Sequence, residues 1–167
     1  VGSEMCIRDR FYIFTAVILC TYLFSLVSVI SQKTEESDKF EILKENYVKE
    51  SSEAINSAVY NKGDVSDQLD DFSTNFIDYA KTKGIDLEML TIVVQDDIEI
   101  NNYLNGEAQI NNNVLNKGQN LIIDKTDQIT VEAYGNEYVF DMSDEPLQLK
   151  GMLRTQKDSN IQVHIIQ

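Results

Sequence analysis

Phe11 to Ile30 reads FYIFTAVILCTYLFSLVSVI, twenty consecutive residues without a charge, a proline or a glycine. At a rise of about 1.5 Å per residue such a run spans ~30 Å as a helix, the hydrocarbon thickness of a bilayer. A helix satisfies its own backbone polar groups, so the run needs no aqueous partner. Thr15, Thr21, Ser25 and Ser28 are placed to bond back to carbonyls one turn earlier. Tyr12 near one end and Gln32 with Lys33 at the other suit the two interfaces. The remaining chain is too small to wrap such a cylinder on every side. The run therefore predicts a transmembrane helix over residues 11–31. Its anchor side chains are Phe11, Tyr12, Ile13, Phe14, Val17, Ile18, Leu19, Leu23, Phe24, Leu26, Val27, Val29 and Ile30. The partner it implies is the lipid bilayer, and the location a cell membrane.

Secretion after signal cleavage is the rival reading. Val29 and Ser31 stand at −3 and −1 before Gln32, an acceptable cleavage site. The run exceeds the about 7–15 apolar residues of a cleaved signal, which favours the anchor. A lipoprotein signal ending at Cys20 is weaker, because bulky Leu19 stands where that processing wants a small residue. The leader VGSEMCIRDR resembles translated linker bases, so residues 1–10 are set aside as a non-native leader. Arg8 and Arg10 on one flank oppose Lys33, Lys39, Lys44 and Lys49 on the other, leaving charge nearly neutral on orientation. The acidic head is expected to be extracytoplasmic.

The formal net charge is −14, and all of that excess lies after Ile30, because Arg8 and Arg10 cancel Glu4 and Asp9. Such a surface repels phosphate backbones, which excludes nucleic acid as an expected partner. The two cysteines, Cys6 and Cys20, both precede the head. A disulfide scaffold and a cysteine zinc site are excluded by inventory.

Beyond the apolar run, Phe40, Leu43, Tyr47, Ala54, Ile55, Ala58 and Val59 fall on one helical stripe, ending at Gly63. No proline or glycine interrupts residues 11–62, so the spacing predicts one rod continuing from the membrane helix. Val65, Leu69, Phe72, Phe76 and Ala80 predict a second helix, capped by Asp64 or Ser66 and closed by Gly84. Phe72 and Phe76 read as core packing.

From Leu87 the period becomes strand-like. MLTIVVQ predicts a buried strand, and ITVEAYGNEYVFDM a hairpin turning at Gly135-Asn136. That turn would place Ala133, Val131 and Ile129 opposite Tyr138, Phe140 and Met142. IEINNYLNGEAQINN predicts a second hairpin at Asn105-Gly106, residues 111–120 a loop, Asp144-Glu145-Pro146 a turn, and NIQVHIIQ a closing strand. The expected fold class is α+β: a transmembrane helix continuing into a long amphipathic helix, a second helix, then an antiparallel sheet. The expected organisation is 11–31 anchor, 32–84 helical stalk and 85–167 antiparallel β domain.

Chemistry is sparse. The only histidine, His164, is expected on the strand surface, opposite in face to Ile161, Val163 and Ile165. Asp96, Asp97 and Glu99 lack a calcium loop's spacing and central glycine. No phosphate-binding glycine loop and no activated-serine motif occurs. No catalytic residue, cofactor or metal is expected, and the chain reads as no enzyme.

With span, rod and late sheet assembled, RFYIFTAVILCTYLFSLVSVI resembles the start of type IV pilin-like proteins. It is closest to small archaeal membrane proteins whose class III signal ends in basic-Gly-Gln-Phe. The acidic helix through NSAVYNKGDVSDQLDDFSTNFIDYAK is similar to the region after the anchor in uncharacterised archaeal members. Asp9-Arg10 stands where that family carries Gly-Gln, and Thr15 where many pilins carry an acidic fifth residue. The resemblance implies a structural, membrane-anchored subunit whose partners are lipid and copies of itself or other pilin-like subunits. The alternative from another class is a membrane-tethered binding or sensing domain that never polymerises.

Overall fold

The computed structural model describes the backbone of residues 3–142, 146–157 and 160–166. Its side chains are described for residues 15–25, 39–142, 146–156 and 161–166. The chain forms two compact units, residues 1–42 and 43–167, with helix α1 (Ser3–Asn61) contributing to both.

In the first unit the described side chains of residues 15–25 are exposed, as are Lys39, Glu41 and Ile42, while Phe40 is buried. The anchor residues Phe11, Tyr12, Ile13, Phe14, Leu26, Val27, Val29 and Ile30 have side chains outside the described residues. Thr21 Oγ1 donates to the carbonyls of Ile18 at 2.8 Å and Val17 at 3.0 Å, satisfying its hydroxyl within the helix.

In the second unit α1 ends where Lys62 turns left-handed (φ 53) and the Gly63 N–H reaches back to the Ala58 carbonyl at 2.9 Å. Lys62, and not the expected Gly63, is thus the residue that breaks the helix. Helix α2 (Val65–Thr82) follows at once. The Asp64 carboxylate accepts from the N–H groups of Ser66 (2.8 Å) and Asp67 (3.2 Å), satisfying donors that the first turn leaves open. The Ile85 N–H bonds the Ala80 carbonyl and Gly84 takes φ 75, closing the helix with a left-handed glycine. Val65, Leu69, Ser73, Phe76 and Ala80 are buried, one stripe at three- and four-residue steps.

Nine strands follow among the described residues: β1 (Leu87–Val94), β2 (Asp97–Asn102), β3 (Ala108–Ile110), β4 (Asn113–Leu115), β5 (Asn120–Asp124), β6 (Gln128–Ala133), β7 (Asn136–Asp141), β8 (Gln148–Lys157) and β9 (Asn160–Ile166). They make two antiparallel sheets, ordered β5-β2-β1-β8-β9 and β4-β3-β6-β7. β1 is central in the larger sheet and buried on both faces, which is why its run of apolar residues does not alternate with polar ones. Leu90, Ile92 and Val94 face the smaller sheet, joining Ile98, Ile100, Ile110, Ile129, Val131 and Phe140 in one core. Val93, on the other face, packs with Ala58 of α1 and Val65 and Leu69 of α2. The second unit is therefore three layers: helices, a five-stranded sheet and a four-stranded sheet.

These findings overturn the expected fold class of a transmembrane helix, a long amphipathic helix, a second helix and one antiparallel sheet. Among the described residues no helix is long and apolar enough to cross a membrane. Taken over its whole length α1 is not an amphipathic helix with one apolar face. The second unit is mostly sheet, and in two sheets where one was expected.

The hairpins differ too. β6 and β7 turn at Tyr134-Gly135, both with positive φ (54 and 74), and Val131 faces Tyr138 while Ile129 faces Phe140. The register sits two residues from the expected one, so the apolar face is unchanged. In the observed register the Tyr134 hydroxyl reaches Glu88 of the larger sheet. No hairpin forms at Asn105-Gly106: β2 pairs in the larger sheet and β3 in the smaller. Buried Asn102 makes the crossing, its Nδ2 donating to the carbonyls of Leu115 (2.8 Å) and Gly106 (3.1 Å) while its Oδ1 accepts from the Leu104 N–H (2.9 Å). Residues 111–120, expected as loop, contain β4, which pairs with β3 through a turn at Asn111 (φ 52). The expected turn at Asp144-Glu145-Pro146 lies largely outside the described residues, since only its proline is described.

Candidate functional site

Glu88 on β1 and Arg154 on β8 are cross-strand partners, so the pairing register alone sets their side chains side by side. Both are buried, each 5% exposed, and Arg154 Nη1 lies 2.8 Å from Glu88 Oε1. The Asn105 N–H donates to Glu88 Oε2 at 3.1 Å, and the Tyr134 hydroxyl donates to the same oxygen. Arg154 Nη2 donates to Gln156 Oε1 at 2.5 Å. The guanidinium carbon sits 3.9 Å from the centre of the Tyr134 ring, a stacked cation–π arrangement. Tyr134 belongs to the smaller sheet's hairpin while Glu88 and Arg154 belong to the larger sheet. The cluster is a clasp joining the two sheets at one end of the sandwich.

An open cleft of about 420 Å³ lies over this clasp, bordered by Asp86, Asn105, Gly106 and Gln156. Burial pushes the Tyr134 hydroxyl up to about 12, and its bond to the charged Glu88 adds to the rise while Arg154 opposes it. The phenol is a donor at neutral pH, not a base. Both oxygens of Glu88 are engaged, and the Arg154 charge is matched within the cluster. Such a cluster ties the two sheets together in register.

A second polar cluster lies among the helices and β1. Tyr47 is fully buried between the rings of Phe72 and Phe76, at centroid distances of 5.6 and 5.2 Å. Its hydroxyl is pushed up to about 12 by burial, slightly offset by the nearby Ser73 hydroxyl. The two approach without the geometry of a hydrogen bond, and both oxygens lack a partner among the described residues. The Tyr103 hydroxyl donates to Asp70 and is raised far above its usual range, by burial first and by the Asp70 carboxylate next.

The sequence-predicted residues fall elsewhere. Val17, Ile18, Leu19, Leu23 and Phe24 lie on α1 in the first unit, 51–75% exposed, with Tyr22 between them at 63%. His164 sits on β9 opposite Leu153, half-buried. Asp96, Asp97 and Glu99 lie at the β1–β2 turn and on β2, and no group of three His, Cys, Asp or Glu among the described residues is placed to hold a metal. Sequence reasoning missed Glu88, Arg154 and Tyr134. The available signal was a single charge in each of two apolar strand runs, LEMLTIVV and GMLRT, since a charge buried in a sheet needs a partner.

No family model matches the chain, and neither a curated protein nor a solved structure matches it.

Proposed function

We propose that the chain is a structural, non-enzymatic subunit that assembles with copies of itself through the apolar side chains of its amino-terminal helix. In this pilin-like arrangement the acidic second unit is the displayed head. One observation carries the reading. Val17, Ile18, Leu19, Tyr22, Leu23 and Phe24 stand together on α1, each more than half exposed. A contiguous apolar surface of that kind marks a site of association, and exposing it to water is unfavourable by ~25 cal/mol per Å². The absence of charge in the segment means that two copies meet there without the repulsion that a head of net charge −14 imposes elsewhere. The paired charges of the Glu88–Arg154 clasp favour a scaffold over a catalyst.

Sedimentation velocity of the full chain tests the reading. The wild-type chain sediments as an oligomer, and the double variant Leu19→Glu, Leu23→Glu sediments at a markedly smaller mass. A wild-type chain that is monomeric in water at tens of micromolar ends the proposal. Lipid is the other apolar environment for the same side chains. Flotation with neutral phosphatidylcholine vesicles distinguishes it, because a chain that prefers lipid moves to the vesicles instead of forming oligomers.

A further inference from the structure

We propose that the head carries a second interface between copies of this chain: the outer edge of β9, pairing antiparallel with the β9 of another copy about a twofold axis through Val163. Each sheet has two edges, and three of the four are protected. β4 is only three residues long, β7 carries Glu137 and Asp141, and β5 ends at Asp124. Short length and charge are the usual devices that keep sheet edges from pairing with other molecules.

β9 has neither. It is seven residues long, and Asn160–Ile166 holds no Asp, Glu, Lys, Arg or Pro. It pairs with β8 alone among the described residues, so its outer row of N–H and C=O groups meets no other strand there. In a chain of net charge −14 this is the edge along which a second copy meets least repulsion.

The strand matches the most apolar residues of another copy with Val163 on the axis. With Val163 opposite Val163, Ile161 falls opposite Ile165 and Gln162 opposite His164. Ile161, Val163 and Ile165 share one face, the face that carries Arg154 and Met152 on β8. Ile161 is 53% and Val163 40% exposed, beside Gln156 and Arg154 of β8. Pairing would lay six apolar side chains in one row and give the isologous interface that a twofold dimer requires. This interface is independent of the helix contacts proposed above, and its test is made in a chain that lacks them.

The test uses the full chain with Cys6→Ser and Cys20→Ser, in the Leu19→Glu, Leu23→Glu background. Residues facing themselves across an antiparallel pair have Cα atoms about 4.5–5.5 Å apart, within disulfide reach. Val163→Cys should form a disulfide-linked dimer quickly under mild oxidation. Ile122→Cys, on the opposite edge of the same sheet and more exposed at 60% against 40%, should not. Ile161→Lys added to Val163→Cys should abolish the rapid cross-link, with circular dichroism showing that the sheets persist. Without the cysteine, Ile161→Lys, Val163→Lys should sediment as monomer where its parent sediments as dimer. A Val163→Cys chain that cross-links no faster than Ile122→Cys, or a cross-link indifferent to Ile161→Lys, overturns the proposal.

Discussion

Glu88 and Arg154 face one another across β1 and β8, both buried, with Nη1 and Oε1 2.8 Å apart. Breaking such a pair from one side strands a charge in the interior, which costs far more than replacing both members. Arg154→Ala should lower unfolding free energy by about 3–5 kcal/mol in urea titration, while Glu88→Leu with Arg154→Met should cost much less. Equal losses in the two would show that the charges do not act as a pair.

Gly151 leaves no room for a side chain. A Cβ there would stand 2.2 Å from the Leu90 carbonyl oxygen on β1, a backbone atom that cannot swing aside. Gly151→Ala should therefore destabilise by about 2 kcal/mol or more and spread the β1–β8 pair. Hydrogen exchange at the amides of β1 is the measurement, and unchanged protection would contradict the close approach.

Tyr47 makes the opposite prediction. Its hydroxyl is buried without a partner among the described residues, and such a group is unfavourable relative to none at all. Tyr47→Phe should raise stability by about 1 kcal/mol at neutral pH, read from the urea midpoint. A loss of similar size would mean the hydroxyl is bonded in solution.

The same tyrosine sets an alkaline limit. Burial raises Tyr47 to about 12 from 10.0, so the folded state holds its proton more tightly than the unfolded chain. The linked stability is complete below pH 10 and is lost as pH rises from there through about 12. Tyr134, also raised to about 12, acts in the same direction. Tyr47→Phe should shallow the fall of stability over that window, which a series of urea titrations would show. An unchanged slope would place the effect elsewhere.

Much of the head could be read from its residues, and the failures have definite causes. Asp64 and Gly84 marked the ends of α2 because caps are local chemistry. The apolar β1 run was legible because a strand buried on both faces needs no alternation. The Tyr134-Gly135 turn was not, because alternation fixes which face is apolar but tolerates a two-residue slip, and the contact of Tyr134 with Glu88 forty-six residues away settles it. Asn105-Gly106 has the composition of a hairpin turn, yet the side chain of Asn102 sends the following strand to the other sheet. The apolar run at the amino end was read as a bilayer span from hydropathy alone. Hydropathy reports that side chains avoid water, and it is silent on what covers them.

Native Cys20 offers the most direct test of what covers the helix, since it is an exposed thiol among the apolar side chains of α1. Pyrene attached there, in a chain with Cys6→Ser, emits excimer light only when two copies bring their helices together. Strong excimer emission that disappears with Leu19→Glu, Leu23→Glu, and on mixing with excess unlabelled chain, is the expected result. Monomer emission alone at concentrations of tens of micromolar, without vesicles, would show that copies of the helix do not meet.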